Sequence, residues 1–307
     1  MTPSRTALPA LALLLVTVLV AACGGPGATP ASSGDTLKVV TTTTVLADLV
    51  RQVGGTRVDV FSLVPKGGAV HTFDPTPTDV KRVAGARLLF ANGLGLDDWL
   101  TALAQDAGTD ATVVRLGEDL PGVTYLAGDG DGEAPNPHVW LDAAYAARYV
   151  DRIEAALSQA DPAGAAGYAA AADAYRARLE SLDAEIAARL GELPSTSRVV
   201  VSFHDAFPYF AAAYGLTVAG SIVDAPGQDP SAGDIADLVA TIRSSGAKAI
   251  LAEAQFNPRL AETIAAETDA IVVTDLYSDS VGDAPAETYE GLMRWNTDRL
   301  VEALAGG

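Results

Sequence analysis

From residue 161 to residue 193 the chain is rich in alanine and poor in helix breakers, and its larger side chains recur at steps of three and four. They are Tyr168, Tyr175, Leu179, Leu182, Ile186 and Leu190, with Ala172 completing the series. That spacing draws one apolar stripe down one helix. Asp161 and Pro162 stand where an N-cap and a first helical residue belong, and Gly191 and Pro194 close the run. Rising 1.5 Å per residue, the helix reaches about 43 Å, longer than a small domain is wide. Whatever lies on its two sides shares it as a backbone.

Both sides alternate short β-branched runs with helical stretches. Before the long helix, "TLKVVTTTT", "RVDVFSLV", "RLLFANGL" and "ATVVRL" are predicted strands; "VLADLVRQVGG", "TPTDVKRVAGA" and "DDWLTALAQDAG" are predicted helices. Thr76, Pro77 and Asp79 fill the N-cap, N1 and N3 positions of a capping box. After it, "RVVVSF", "KAILAEA" and "AIVVTDL" are predicted strands. The helices there are "DAFPYFAAAYG" with Asp205 as cap, "SAGDIADLVATIRSSG", "NPRLAETIAAET" with Asn257 capping Pro258, and "ETYEGLMRWNTDRLVEAL". Such alternation means parallel strands covered by helices. The expected fold is α/β: two lobes with parallel β-sheets flanked by helices, joined by one long rigid α-helix. The lobes take residues 36–160 and 194–307, and the linking helix 161–193.

Residues 1–22 read as an export signal. Arg5 supplies a short basic region, and the apolar run from Leu8 to Ala22 is too short and wrongly flanked to span a membrane. It ends "VAAC" at Cys23, the only cysteine of the chain, in the manner of a bacterial lipobox. A free thiol is a liability in an oxidising compartment, and lipidation of Cys23 removes it. Residues 23–35, rich in Gly, Ser, Pro and Ala, form a flexible tether reaching roughly 20 Å. The expected location is the extracytoplasmic face of the cell membrane, held by the lipid. The formal charge is −19, and −20 once Arg5 leaves with the signal. That balance excludes nucleic acid as a partner, which demands clustered Lys and Arg. A hydrophobic content of 49% supplies a core without any disulfide.

The chain has three histidines, and none falls on a helix face. His71 lies in the loop after the strand "RVDVFSLV", His138 just before a helix capped by Asp142, and His204 directly after the strand "RVVVSF". Open parallel sheets bind ligands beyond the carboxyl ends of their strands, so His71 and His204 face a common cleft from opposite lobes. Neutral imidazole is the commonest metal ligand, and three of them with one carboxylate close a tetrahedral shell. Spacing alone leaves Asp275, Asp279 and Asp283 open as that carboxylate.

The stretches "HTFDPTP", "PHVWLD" and "FHDAFPYFA" resemble, in order and spacing, the three histidine motifs of the cluster A-I solute-binding lipoproteins of zinc and manganese ABC importers. "NGLGLDDWL", "DPSAGDIADL" and "YSDSVGDAPAETYEGLMRWNTDRL" match the same family, so the resemblance covers nearly all of the chain after the tether. It implies two α/β lobes with one metal between them, ligated by His71, His138 and His204. It also implies Asp279, in "YSDS", as the fourth ligand. The partners it implies are an ABC permease and its ATPase subunit, with the binding protein itself a monomer. Departures are an acidic stretch at 128–133 where some zinc-specific members carry a histidine-rich loop, and Asn136, Ala143 and Pro208 where Asp, Pro and Gly are common.

Zn2+ is the expected cargo, with Mn2+ as the alternative. Members that resemble manganese carriers often offer glutamate at the third position, where this chain has His204, and three nitrogens with one carboxylate suit Zn2+. With imidazoles at their reference pKa of about 6.5, binding weakens below roughly pH 6. An enzyme is not expected. A zinc-dependent hydrolase needs an open coordination position and a helix motif such as H-E-x-x-H, and a serine hydrolase needs G-x-S-x-G; the chain has neither motif. A purely adhesive surface lipoprotein has no use for the three-histidine set.

Overall fold

Strand side chains here alternate between two cores. In the computed structural model, which describes Met1 and residues 36–128, 134–223, 227 and 230–305, strand β1 (Leu37–Thr41) is followed by α1 (Thr44–Gly54), β2 (Val58–Ser62), α2 (Pro77–Ala84), β3 (Leu88–Ala91), α3 (Trp99–Asp106) and β4 (Thr112–Arg115). The four strands form one parallel sheet in the order β2-β1-β3-β4, with Leu37 opposite Val58 and Val39 opposite Leu88. Val39, Leu88 and Phe90 point to the side covered by α1, while Val40, Leu89 and Ala91 point to the side covered by α2 and α3. The segments read above as export signal, lipidated Cys23 and tether (Met1 apart), and residues 129–133 of the acidic stretch, lie outside the described residues.

Helix α4 (Ala143–Ala160) then leads into the long helix α5 (Ala165–Gly191). The buried residues of α5 are Tyr168, Ala172, Tyr175, Leu179, Leu182, Ile186 and Leu190, the stripe read from the sequence. Its start differs from expectation. Pro162–Gly164 forms a 3-10 turn, and Asp161 makes no side-chain cap. Its carboxylate instead accepts from Arg57 at 2.6 Å and from the Tyr168 hydroxyl at 2.7 Å. An ion pair and a hydroxyl outcompete the free amides of the first turn.

The second sheet repeats the topology of the first. Strands β5 (Val199–His204), β6 (Thr217–Val223), β7 (Ala249–Glu253) and β8 (Ile271–Leu276) pair in parallel in the order β6-β5-β7-β8, flanked by α6 (Pro208–Tyr214), α7 (Ala232–Ser245), α8 (Arg259–Thr268) and α9 (Tyr289–Leu304). Val200 and Leu251 join the central core; Val201 and Ile250 face α7 and α8. Strand β6 was not anticipated from the sequence. Asp205 is not the cap of α6, which starts at Pro208, and α8 starts at Arg259 with Pro258 rather than Asn257 in the N-cap position, although Asn257 Oδ1 accepts from the Arg259 N–H at 3.1 Å. The central core is continuous from Val39 to Leu304 and takes in α1, α4, α5 and α9. No helix among the described residues is long and apolar enough to cross a membrane.

Candidate metal centre

The folding pattern delivers His71, His138, His204 and Asp279 to one place. His71 lies between β2 and α2, His138 before the 3-10 turn Val139–Leu141 that leads into α4, His204 ends β5, and Asp279 follows β8. All stand at or beyond the carboxyl ends of parallel strands, where open α/β sheets gather ligands. One atom from each lies within 4.8 Å of all the others. His138 Nε2 is 3.3 Å from Asp279 Oδ1, and His71 Nε2 is 3.5 Å from Asp279 Oδ2. His204 Nε2 stands 4.0 Å from that second oxygen and 3.3 Å from His138 Nε2. Three of the four are buried; His71, with 14% of its side chain exposed, forms the open side. Asp275 and Asp283, which spacing left open, are exposed and outside the cluster.

The groups behind the rings set which nitrogen faces the centre. Asn136 Nδ2 donates to the Asp205 carbonyl and carboxylate, both at 2.7 Å, so Oδ1 of Asn136 is the atom turned to His138. That oxygen accepts from the His138 backbone N–H at 3.0 Å and lies 3.0 Å from His138 Nδ1, which therefore carries the proton. Nε2 of His138 is left as a lone pair aimed inward. His204 Nδ1 lies 2.5 Å from Glu253 Oε1, which turns its Nε2 inward as well. His71 Nε2 and both Asp279 oxygens are buried without a hydrogen-bond partner. Lone pairs and a carboxylate crowded together repel one another unless positive charge stands among them.

Burial pushes His138 down to about 4, so its ring is neutral. Burial pulls His204 the same way, but the carboxylates of Glu253 and Asp279 outweigh it and hold that ring up at about 9. For Asp279, burial opposes the charge, and the imidazoles of His138, His71 and His204 more than offset this, keeping its carboxyl well below the usual range. The raised value of His204 sets positive charge beside the Asp279 carboxylate.

The loop that carries Asp279 is fastened to the first lobe. Trp140 Nε1 donates to the Ser278 carbonyl at 3.0 Å, and the Gly67 backbone N–H donates to Ser280 Oγ at 2.9 Å. The Val281 N–H donates to Thr44 Oγ1 at 3.0 Å, and the Tyr289 N–H to Asp48 at 2.8 Å. The sequence departures fit their surroundings. An aspartate at Asn136 would oppose the Asp205 carboxylate; the Ala143 N–H donates to the Tyr214 hydroxyl at 3.2 Å; Pro208 takes the first position of α6, where a missing N–H is harmless. Glu253 was missed from sequence, where it is one acid among 39 Asp and Glu. Its only signal is a position at the end of the otherwise apolar strand "AILAE".

Residues 39–303 match the family described as zinc-uptake complex component A, periplasmic. The manganese-binding lipoprotein MntA of Halalkalibacterium halodurans is 29% identical over 295 residues, 95% of this chain and 97% of that one. An iron ABC transporter substrate-binding lipoprotein, MtsA of Streptococcus pyogenes, is 29% identical across 96% of this chain and 97% of its own. Among solved structures, the periplasmic zinc binding protein TroA of Treponema pallidum superposes with a TM-score of 0.81 at 29% identity, over 88% of this chain and 99% of that one.

Proposed function

The chain belongs to the zinc-uptake complex component A periplasmic family, and from that premise we propose that it captures one divalent transition metal ion, Zn2+, between its lobes and delivers it to an ABC importer. The observation that carries this reading is the convergence of His71, His138, His204 and Asp279, with inward lone pairs and unpartnered oxygens, on one point. In the proposal these four are the ligands. Three nitrogens and one carboxylate suit Zn2+, whereas Mn2+ favours more oxygen and higher coordination. Mn2+ as cargo is the second reading, supported by the manganese named in two relatives' descriptions. Four protein ligands leave no open position for an activated water, which makes the chain a carrier rather than a hydrolase.

Cys23 is the proposed lipid attachment site, supported by its setting in "VAAC" and by relatives named as lipoproteins. The proposed partners are a permease and its ATPase subunit, approached by a monomer tethered outside the membrane. The test is the metal content of protein purified without added metal, followed by competition between Zn2+ and Mn2+ at neutral pH. One Zn2+ per chain, retained against Mn2+, is expected, and His138→Ala should weaken it by more than about 100-fold, beyond the effect of losing an outer partner alone. Displacement of Zn2+ by Mn2+ at comparable free concentrations would overturn the zinc assignment. Failure of the wild type to hold any metal would overturn the carrier reading.

A further inference from the structure

Glu253 ends β7, beside β5 and its last residue His204. Its side chain is fully buried, with Oε1 at 2.5 Å from His204 Nδ1, an ion-pair contact off the ideal hydrogen-bond alignment. The same oxygen accepts from Ser278 Oγ at 3.3 Å, and Ser278 is the residue before Asp279. Oε2 is buried and has no hydrogen-bond partner. The other four residues of the strand, Ala249 to Ala252, are buried and apolar. A fold that needed only packing here would gain from an apolar side chain, because a carboxylate taken out of water is a burden unless it is well paired. Among the described residues, the one ionisable partner it faces is the imidazole of His204.

We propose that Glu253 is a positioning residue of the metal centre. It holds the Nδ1–H of His204, aims Nε2 at the ion, and couples that ligand through Ser278 to the loop bearing Asp279. The carboxylate also withdraws the Nδ1 proton part-way, making Nε2 a stronger donor, as outer-shell carboxylates do for metal-bound histidine. This inference rests on the carrier reading above.

Zn2+ titrations of the full chain as wild type, Glu253→Gln and Glu253→Ala, each with the melting temperature of the metal-free form, test it. Glu253→Gln keeps an oxygen able to accept from Nδ1 but loses the charge; Glu253→Ala loses both. With the proton released from His204 counted and its competition with the ion subtracted, affinity is expected to fall about 10-fold in the first and about 100-fold in the second. At neutral pH the metal-free melting temperature of Glu253→Gln should fall, since the variant removes one partner of the buried pair that holds the His204 proton. Wild-type affinity in Glu253→Gln and Glu253→Ala would overturn the proposal. A loss of affinity in Glu253→Gln accompanied by loss of the metal-free fold at the temperature of the titration, read by circular dichroism, would also overturn it, by marking a purely structural role. If Glu253→Ala does not fold, the Gln variant decides alone. A wild type that takes up no Zn2+ sinks the carrier reading itself; a wild type that binds, with variants that match it, sinks only this inference.

Discussion

At the scale of single residues, the two buried imidazoles of one site are driven in opposite directions. His138 stays neutral above about pH 4, while His204 holds its proton up to about pH 9. A metal entering at neutral pH must therefore displace the His204 proton. The sign follows: the raised value favours the metal-free fold below the unfolded reference of about 6.5, an advantage lost as pH rises through about 9. Affinity for Zn2+ should climb about tenfold from pH 7 to pH 8, with about one proton released per ion from His204. Calorimetric titration in buffers of different ionisation heat reads that proton directly. No release from His204 at pH 7 would show that Glu253 does not hold the ring charged. Equal reference values for all imidazoles would instead place the loss below roughly pH 6. The ligand candidates were legible because histidine is scarce in this chain and each one marks a loop or strand end. Glu253 and the amide of Asn136 were not, since an outer partner is defined by what it faces across the cleft.

At the scale of elements, periodicity was a faithful guide where one face meets one core. The stripe of α5 needed no tertiary information, because steps of three and four admit one geometry. Strand β6 escaped because Ala219, Gly220 and Ser221 at its middle are poor strand formers, and its register against β5 shifts at that point. The caps at Thr76 and Asp142 were readable from local sequence, whereas Asp161 and Asp205 were captured by distant partners. Gly291, in the first turn of α9, offers a test of local against tertiary preference. Propensity alone would make Gly291→Ala stabilising by about 0.5–1 kcal/mol. A Cβ there would sit 2.2 Å from the Pro285 carbonyl oxygen and 3.1 Å from the capping hydroxyl of Thr288. The expectation is a lowered melting temperature for Gly291→Ala. An unchanged or raised value would show that the start of α9 shifts to make room.

At the scale of the whole molecule, the described residues hold two sheets of identical strand order and one apolar interior running through both. An ion bound only to the native state at a thousandfold excess over Kd adds about 4 kcal/mol, on the order of ten degrees in melting temperature for a chain of this size. Identical melts with Zn2+ and with a chelator would contradict that. The continuous core from Val39 to Leu304 has a thermal corollary. Neither sheet can lose its packing without stripping apolar surface from α5 and from the other sheet, so the two halves should melt as a single cooperative unit. Differential scanning calorimetry should then show one heat-absorption peak that moves as a whole when Zn2+ is added, with van't Hoff and calorimetric enthalpies in agreement. Two peaks, of which only one responds to the ion, would mean that each half keeps its own melting equilibrium despite the interior they share.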